Sequence, residues 1–124
     1  MWLADSNILI RGSSAPKHPL QEWLQSQLPA ISVVTRIELL GYHRLRPDED
    51  ALLRILLSSL DEYPISSQTA ALAIDLRRQR KMSLGDALIA ATCLEHGLKL
   101  ATRNASDFDW IPGLTVDALS HYEK

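Results

Sequence analysis

The chain has 124 residues, nearly balanced charge (net −2) and a single cysteine, the size of one domain with one hydrophobic core and too short for two, so residues 1–124 are read as a single domain. The charge balance excludes a general nucleic-acid coat protein, which needs a clearly basic face, and the lone Cys93 excludes an internal disulfide and reads as a small core residue. The N-terminus lacks a basic stretch followed by a long apolar run and no other segment is long enough to span a bilayer, so no membrane association and a cytoplasmic location are expected.

Met1 to Ala4 is a short apolar run that halts at Asp5-Ser6-Asn7, as a buried strand does when it ends in a turn or a helix cap. Asp5 is therefore expected at the C-terminal end of the first strand. Gly12-Ser13-Ser14-Ala15-Pro16 is loop-like in composition, and beyond it Leu20, Trp23, Leu24 and Leu28 recur at helical spacing until Pro29. Ala30 to Val34, rich in β-branched residues, reads as a strand running into a helix over Thr35 to Gly41. Pro47-Asp48 opens a helix through Leu52, Leu53, Leu56, Leu57 and Leu60, and Tyr63-Pro64-Ile65 is an extended link to a long helix over Ser67 to Gln79. Ser83 to His96 is helical and stops at Gly97, a glycine suited to a left-handed C-terminal turn. Leu98 to Ala101 is then a strand with Thr102-Arg103-Asn104 at its end, Pro112-Gly113 a turn, and Leu114-Thr115-Val116 a last edge strand.

Short strands separated by helices imply an α/β domain with a mainly parallel sheet, because parallel neighbours need crossover connections. In such sheets the ligand crevice lies at the C-terminal ends of the strands. Asp5, the region leading to Glu38, and the Asn104 to Asp107 loop all fall there.

Each acid has a purely structural explanation. Thr35 to Glu38 and Ser83 to Asp86 both have capping-box spacing, and Asp5-Ser6-Asn7 and Asp107 suit an ordinary turn and an ordinary loop. Taken singly, these explanations are the better ones. Position argues the other way: Asp86 shares a helix face with Ile89, Ala90 and Cys93, and Glu38 stands among Ile37, Leu39 and Leu40. Acids in such company are seldom buried unless paired or bound to metal. Gathered hard oxygen ligands suit Mg²⁺ or Mn²⁺, whereas zinc favours closely spaced histidines and cysteines, and His18, His43, His96 and His121 are scattered. Metal-assisted phosphodiester hydrolysis needs no protein nucleophile. The chain has no Walker-type phosphate loop and no Gly-x-Ser-x-Gly elbow.

Four segments together resemble the motifs of the PIN-domain ribonucleases, in particular the VapC-type toxins of toxin–antitoxin pairs, over nearly the whole chain. Leu3-Ala4-Asp5-Ser6-Asn7-Ile8-Leu9-Ile10 is similar to the opening motif, which makes Asp5 the first metal ligand and Ser6 a supporting hydroxyl. Ile31 to Gly41 is similar to the second, with Glu38 as its acid, and Ser83 to Ala91 to the third, with Asp86 as its acid. Leu100 to Phe108 corresponds to the fourth, which includes Thr102 as a support; many relatives carry an acid where this chain has Asn104, so either Asn104 gives an amide oxygen or Asp107 supplies the charge.

The resemblance implies a central, mainly parallel twisted sheet of four to five strands flanked by helices. It also implies a Mg²⁺ or Mn²⁺ requirement, a homodimer, cleavage of structured RNA such as tRNA, and an antitoxin that inserts a segment into the active-site groove. Arg11, Lys17, Arg36, Arg44, Arg46 and Arg103 are the cations nearest the acidic motifs in sequence, and some of them, Arg36 and Arg103 first, are expected to hold RNA phosphates or an antitoxin carboxylate. Singly, each is equally a solvated surface charge, and the Arg77 to Lys81 run suits a helix C-terminus. The alternative is a catalytically weak PIN-like module that binds RNA or protein. A DNA or flap nuclease would need insertions that this length does not accommodate. A response-regulator-like domain would need a paired acid and a later lysine that are not found.

Overall fold

The computed structural model describes residues 1–14 and 18–122; Lys17 and the Ala15-Pro16 end of the expected loop lie outside them. Strands β1 (Trp2–Ala4), β2 (Ile31–Ser32), β3 (Glu62–Tyr63), β4 (Lys99–Ala101) and β5 (Val116–Asp117) are interspersed with helices α1 (Ser6–Ser14), α2 (Pro19–Gln27), α3 (Val33–Leu40), α4 (Pro47–Ser58), α5 (Ser67–Gln79) and α6 (Leu84–His96). Every strand pairing is parallel: Leu3 opposite Leu100, Leu100 opposite Val116, and Ile31 opposite Glu62. A parallel bridge between Leu3 and Ala30, with hydrogen bonds from Ala4 N to Ala30 O (2.9 Å) and from Ala30 N to Trp2 O (2.8 Å), joins the two ladders. The strand order is thus β3-β2-β1-β4-β5, an α/β fold of the expected kind.

Successive residues of a strand face opposite sides, and a parallel sheet covered on both sides has two apolar faces. Leu3 and Leu100 pack with Leu76, Ile89 and Phe108 on the side of α5 and α6, whereas Ala4 and Ala101 join Leu9, Trp23, Leu24 and Leu57 on the side of α1, α2 and α4. Full burial of such a leucine contributes about 1.5–3 kcal/mol. The chain leaves β1 toward β2 on one flank and returns to β4 on the other, so the order reverses beside β1. A crevice at the carboxyl ends of β1 and β4 follows from that reversal.

Three local expectations are corrected. The strand expected over Ala30 to Val34 ends at Ser32, whose Oγ accepts a hydrogen bond from Val34 N (3.1 Å) and caps α3; the cap outweighs the strand preference of Val33 and Val34. Thr35 lies inside the helix and is buried, so it forms no capping box with Glu38. The expected loop at Gly12 is instead helical, part of α1. A Cβ there would stand 2.4 Å from Leu24 Cδ1, so the glycine lets α1 close on α2.

Candidate active site

Asp5 immediately follows β1 and is 5% exposed. Its carboxylate accepts hydrogen bonds from Ser6 N (2.8 Å), Thr102 Oγ1 (2.9 Å) and Asn7 Nδ2 (3.4 Å). Thr102 immediately follows β4, and Asp5 N donates to Ala101 O (2.9 Å), so these bonds extend the β1–β4 pairing past its last ladder residue. Asn7 also donates to Thr102 Oγ1 (3.3 Å) and accepts from Arg103 N (3.0 Å). Asn7 was not among the expected site residues, although its place in Asp5-Ser6-Asn7 carried the signal: a side-chain amide has both a donor and an acceptor to span two strand ends.

Glu38 lies in the interior of α3 and is exposed, contrary to the expectation of burial among its apolar neighbours. The reason is the helix face: Val34, Thr35 and Leu39 point inward, while Ile37 is 62% exposed. Its carboxylate nevertheless approaches α6, because a Cβ on Gly85 would stand 3.4 Å from Glu38 Oε2. Asp86 sits in the first turn of α6, where its backbone N donates to the capping Ser83 Oγ (3.1 Å). The capping explanation thus holds for the backbone at Asp86 and fails for Glu38.

Desolvation raises the Glu38 carboxyl above the ordinary carboxylate range, and the charges of Asp5 and then Asp86 raise it further. Asp86 is raised chiefly by desolvation and then by Asp5; a hydrogen bond with Ser83 works against the shift, and Asp107 adds to it. Burial pushes the Cys93 thiol up to about 12, with a further contribution from Asp5, which makes it the inert core residue expected. Asp5, Glu38, Asp86 and Asp107 therefore share one negative field at the crevice. Their convergence is electrostatic: among the described residues no three His, Cys, Asp or Glu side chains close into a ready-made metal cage.

Asp107 ends a 3₁₀ turn (Ala105–Asp107) and lines, together with Asp86, a cavity of about 620 Å³. Asn104 precedes that turn, is exposed, and donates its backbone N to Thr102 Oγ1 (3.1 Å). Ser6 and Glu38 line a second cavity, of about 450 Å³, among α1, α3 and α4. Two expected contacts take other roles. Arg36 is held by Glu62 of β3 through bonds of 2.6 and 3.1 Å, and Arg103 Nη1 donates to Ala118 O (2.8 Å) and Leu119 O (3.3 Å), tying down the segment after β5. Both guanidinium groups are thus engaged with the fold itself.

The PIN domain family pattern matches residues 3–113. The chain belongs to the PIN-domain family. Ribonuclease VapC10 of Mycobacterium tuberculosis is 38% identical over 120 residues, which cover 87% of this chain and 86% of that protein. Among solved structures, a toxin–antitoxin complex from Klebsiella pneumoniae contains a chain 33% identical to this one, with a TM-score of 0.78 over 93% of this PIN domain and 96% of that chain. FitAcB from Neisseria gonorrhoeae has a TM-score of 0.79 over 98% and 99% of the two chains at 23% identity, a likeness of fold. Asp5, Glu38 and Asp86, one from each of the first three motifs, stand round the crevice of this PIN domain where the strand order reverses.

Proposed function

We propose that this PIN domain is the toxin of a toxin–antitoxin pair and an endoribonuclease that hydrolyses phosphodiester bonds with Mg²⁺ or Mn²⁺ held by Asp5, Asp86 and Glu38. The observation that carries the reading is the shared field of these acids at the switch-point crevice, in a chain related to a VapC ribonuclease. The donor set fits a hard divalent cation, since it consists of carboxylate oxygens whose mutual repulsion a cation relieves. When bound, such an ion lowers the pKa of the attacking water and offsets the charge on the departing oxygen.

The chain's own residues supply the rest. Three donors fix the orientation of Asp5, and the Glu38 carboxylate lies against α6 beside Gly85. Glu38, exposed to solvent, completes the carboxylate set that would hold the ion. For the fourth position Asp107 is the better choice, because it acts on Asp86 and shares its cavity, whereas the contact of Asn104 with the site is through its backbone N.

The antitoxin belongs to the same proposal. The cavity that holds Ser6 and Glu38 continues to Tyr42, Arg46 and Leu52, of which Tyr42 and Leu52 are exposed apolar surface suited to a protein segment. A homodimer and a structured RNA substrate such as tRNA complete it, on the strength of the family likeness. The test is cleavage of RNA in Mg²⁺ by the purified chain and by Asp5→Asn and Asp86→Asn. Each variant is expected to lose activity by more than the roughly 100-fold that an outer-sphere partner costs while melting as a folded protein. Full activity in either variant overturns the assignment.

A further inference from the structure

The basic run at the end of α5 has no part in the mechanism above. Arg77 and Arg78 lie in the last turn, where they complement the helix dipole, and Arg77 Nε donates to Met82 O (3.3 Å). Arg80 and Lys81 are different: Arg80 leaves the helix in an extended conformation and Lys81 lies beyond it, past the turn in which the dipole acts. Both line, beside the Arg77 that is tied to Met82 O, the cavity of about 620 Å³ that Asp86 and Asp107 also line. Among the described residues neither forms an ion pair, so two cations share a cavity with two carboxylates without neutralising them. Trp110 adds an aromatic surface at the same place. Its Nε1 donates to Asp107 O (3.1 Å), and the Arg80 guanidinium lies over its ring, 5.4 Å from the centroid.

We propose that Arg80, Lys81 and Trp110 position a single-stranded stretch of RNA beside Asp86, with phosphates on the two cations and a base stacked on the Arg80–Trp110 pair. This inference rests on the nuclease reading, since the groove matters because it leads to the acids. Cations that hold phosphates and rings that stack bases are tolerant of sequence, so this side of the site contributes affinity without base preference. The stacking surface is what favours RNA over an acidic peptide, which would use the cations alone.

The test is a fluorescence-anisotropy titration of the full chain with a labelled single-stranded RNA at several salt concentrations, beside cleavage kinetics in Mg²⁺. Arg80→Gln/Lys81→Gln is expected to weaken binding about tenfold near 0.1 M salt and to shallow the log–log salt slope by about 1.4, roughly 0.7 per phosphate contact. It should raise KM with kcat nearly unchanged. Trp110→Leu should weaken binding by a similar factor, and Trp110→Phe, which keeps a ring, should restore most of it. Unchanged affinity and slope in the double variant overturn the proposal, as does a loss confined to antitoxin binding. Binding is read without hydrolysis, so the two readings separate. Asp86-dependent cleavage with wild-type slope in the double variant removes only the groove, and salt-sensitive binding without any cleavage removes only the nuclease.

Discussion

Thr102 joins three parts of the site through a single oxygen. Its hydroxyl donates to Asp5 Oδ2 and accepts from Asn7 Nδ2 and from the backbone N of Asn104, so one oxygen ties the end of β1, the start of α1 and the loop after β4. Valine has nearly the same shape without that oxygen. Thr102→Val is therefore expected to lower RNA cleavage by about 10–100-fold, the usual effect of losing a partner that orients a ligand. It should also destabilise the protein by about 1–3 kcal/mol, because buried groups lose their hydrogen-bond partner. A cleavage rate equal to wild type would assign Thr102 to the fold alone. The fourth motif marks Thr102 as a support, but that its partner is Asp5, 97 positions away in sequence, is decided by the fold.

At the scale of elements, the boundaries are set by caps and glycines more than by propensity. Ser32 starts α3, Ser83 starts α6, and Gly97 ends α6 in the left-handed conformation (φ 66°) with its N–H on Cys93 O. The end of α2 lacks such a residue: Leu28 takes φ 43° and ψ 62°, donates its N–H to Leu24 O, and leaves a side chain that is 56% exposed. A leucine in that conformation carries strain of about 1–2 kcal/mol and here loses most of its chance to repay it by burial. Leu28→Gly is expected to stabilise the protein by about 0.5–1 kcal/mol after the added chain entropy of glycine in the unfolded state. A urea melt with an unchanged slope and a higher midpoint is the check, and a lower midpoint would mean that Leu28 packs productively.

For the whole molecule, the field of acids links the site to global stability. Glu38 and Asp86 are raised in the folded protein, so between the ordinary carboxylate range and their raised values the folded chain binds more protons than the unfolded one. Stability of the metal-free protein must therefore fall as pH rises through that window and level off above it. Asp86→Asn removes one source of the penalty. The metal-free variant is expected to exceed wild type at pH 7 by on the order of 0.5 kcal/mol, after allowance for solvent screening of these half-exposed groups, and to lose the advantage at low pH. Added Mg²⁺ should raise the wild-type melting temperature more than that of the variant. Thermal melts at two pH values, with and without Mg²⁺, decide it; coincident metal-free curves at pH 7 would show that Asp86 bears no repulsive load.

Local pattern in the sequence determined most of the strands and helices in order, the bounds of α5, the glycine stop at Gly97 and the acids worth attention, because each depends on neighbours a few residues apart; it did not mark α1 as a helix, and it read the region of β3 as an extended link. The four motifs in order then named the family. Tertiary structure alone decided what lies between distant segments: that β1 and β4 adjoin, so that Asp5 meets Thr102; that Asn7 spans their ends; and that Arg36 and Arg103 are committed to Glu62 and to the segment after β5. Helical spacing marks Glu38 as embedded, yet only the packing of α3 showed it exposed and facing α6 across Gly85. Periodicity tells which residues share a face of one element, but which face meets solvent or another acid depends on the elements that pack against it.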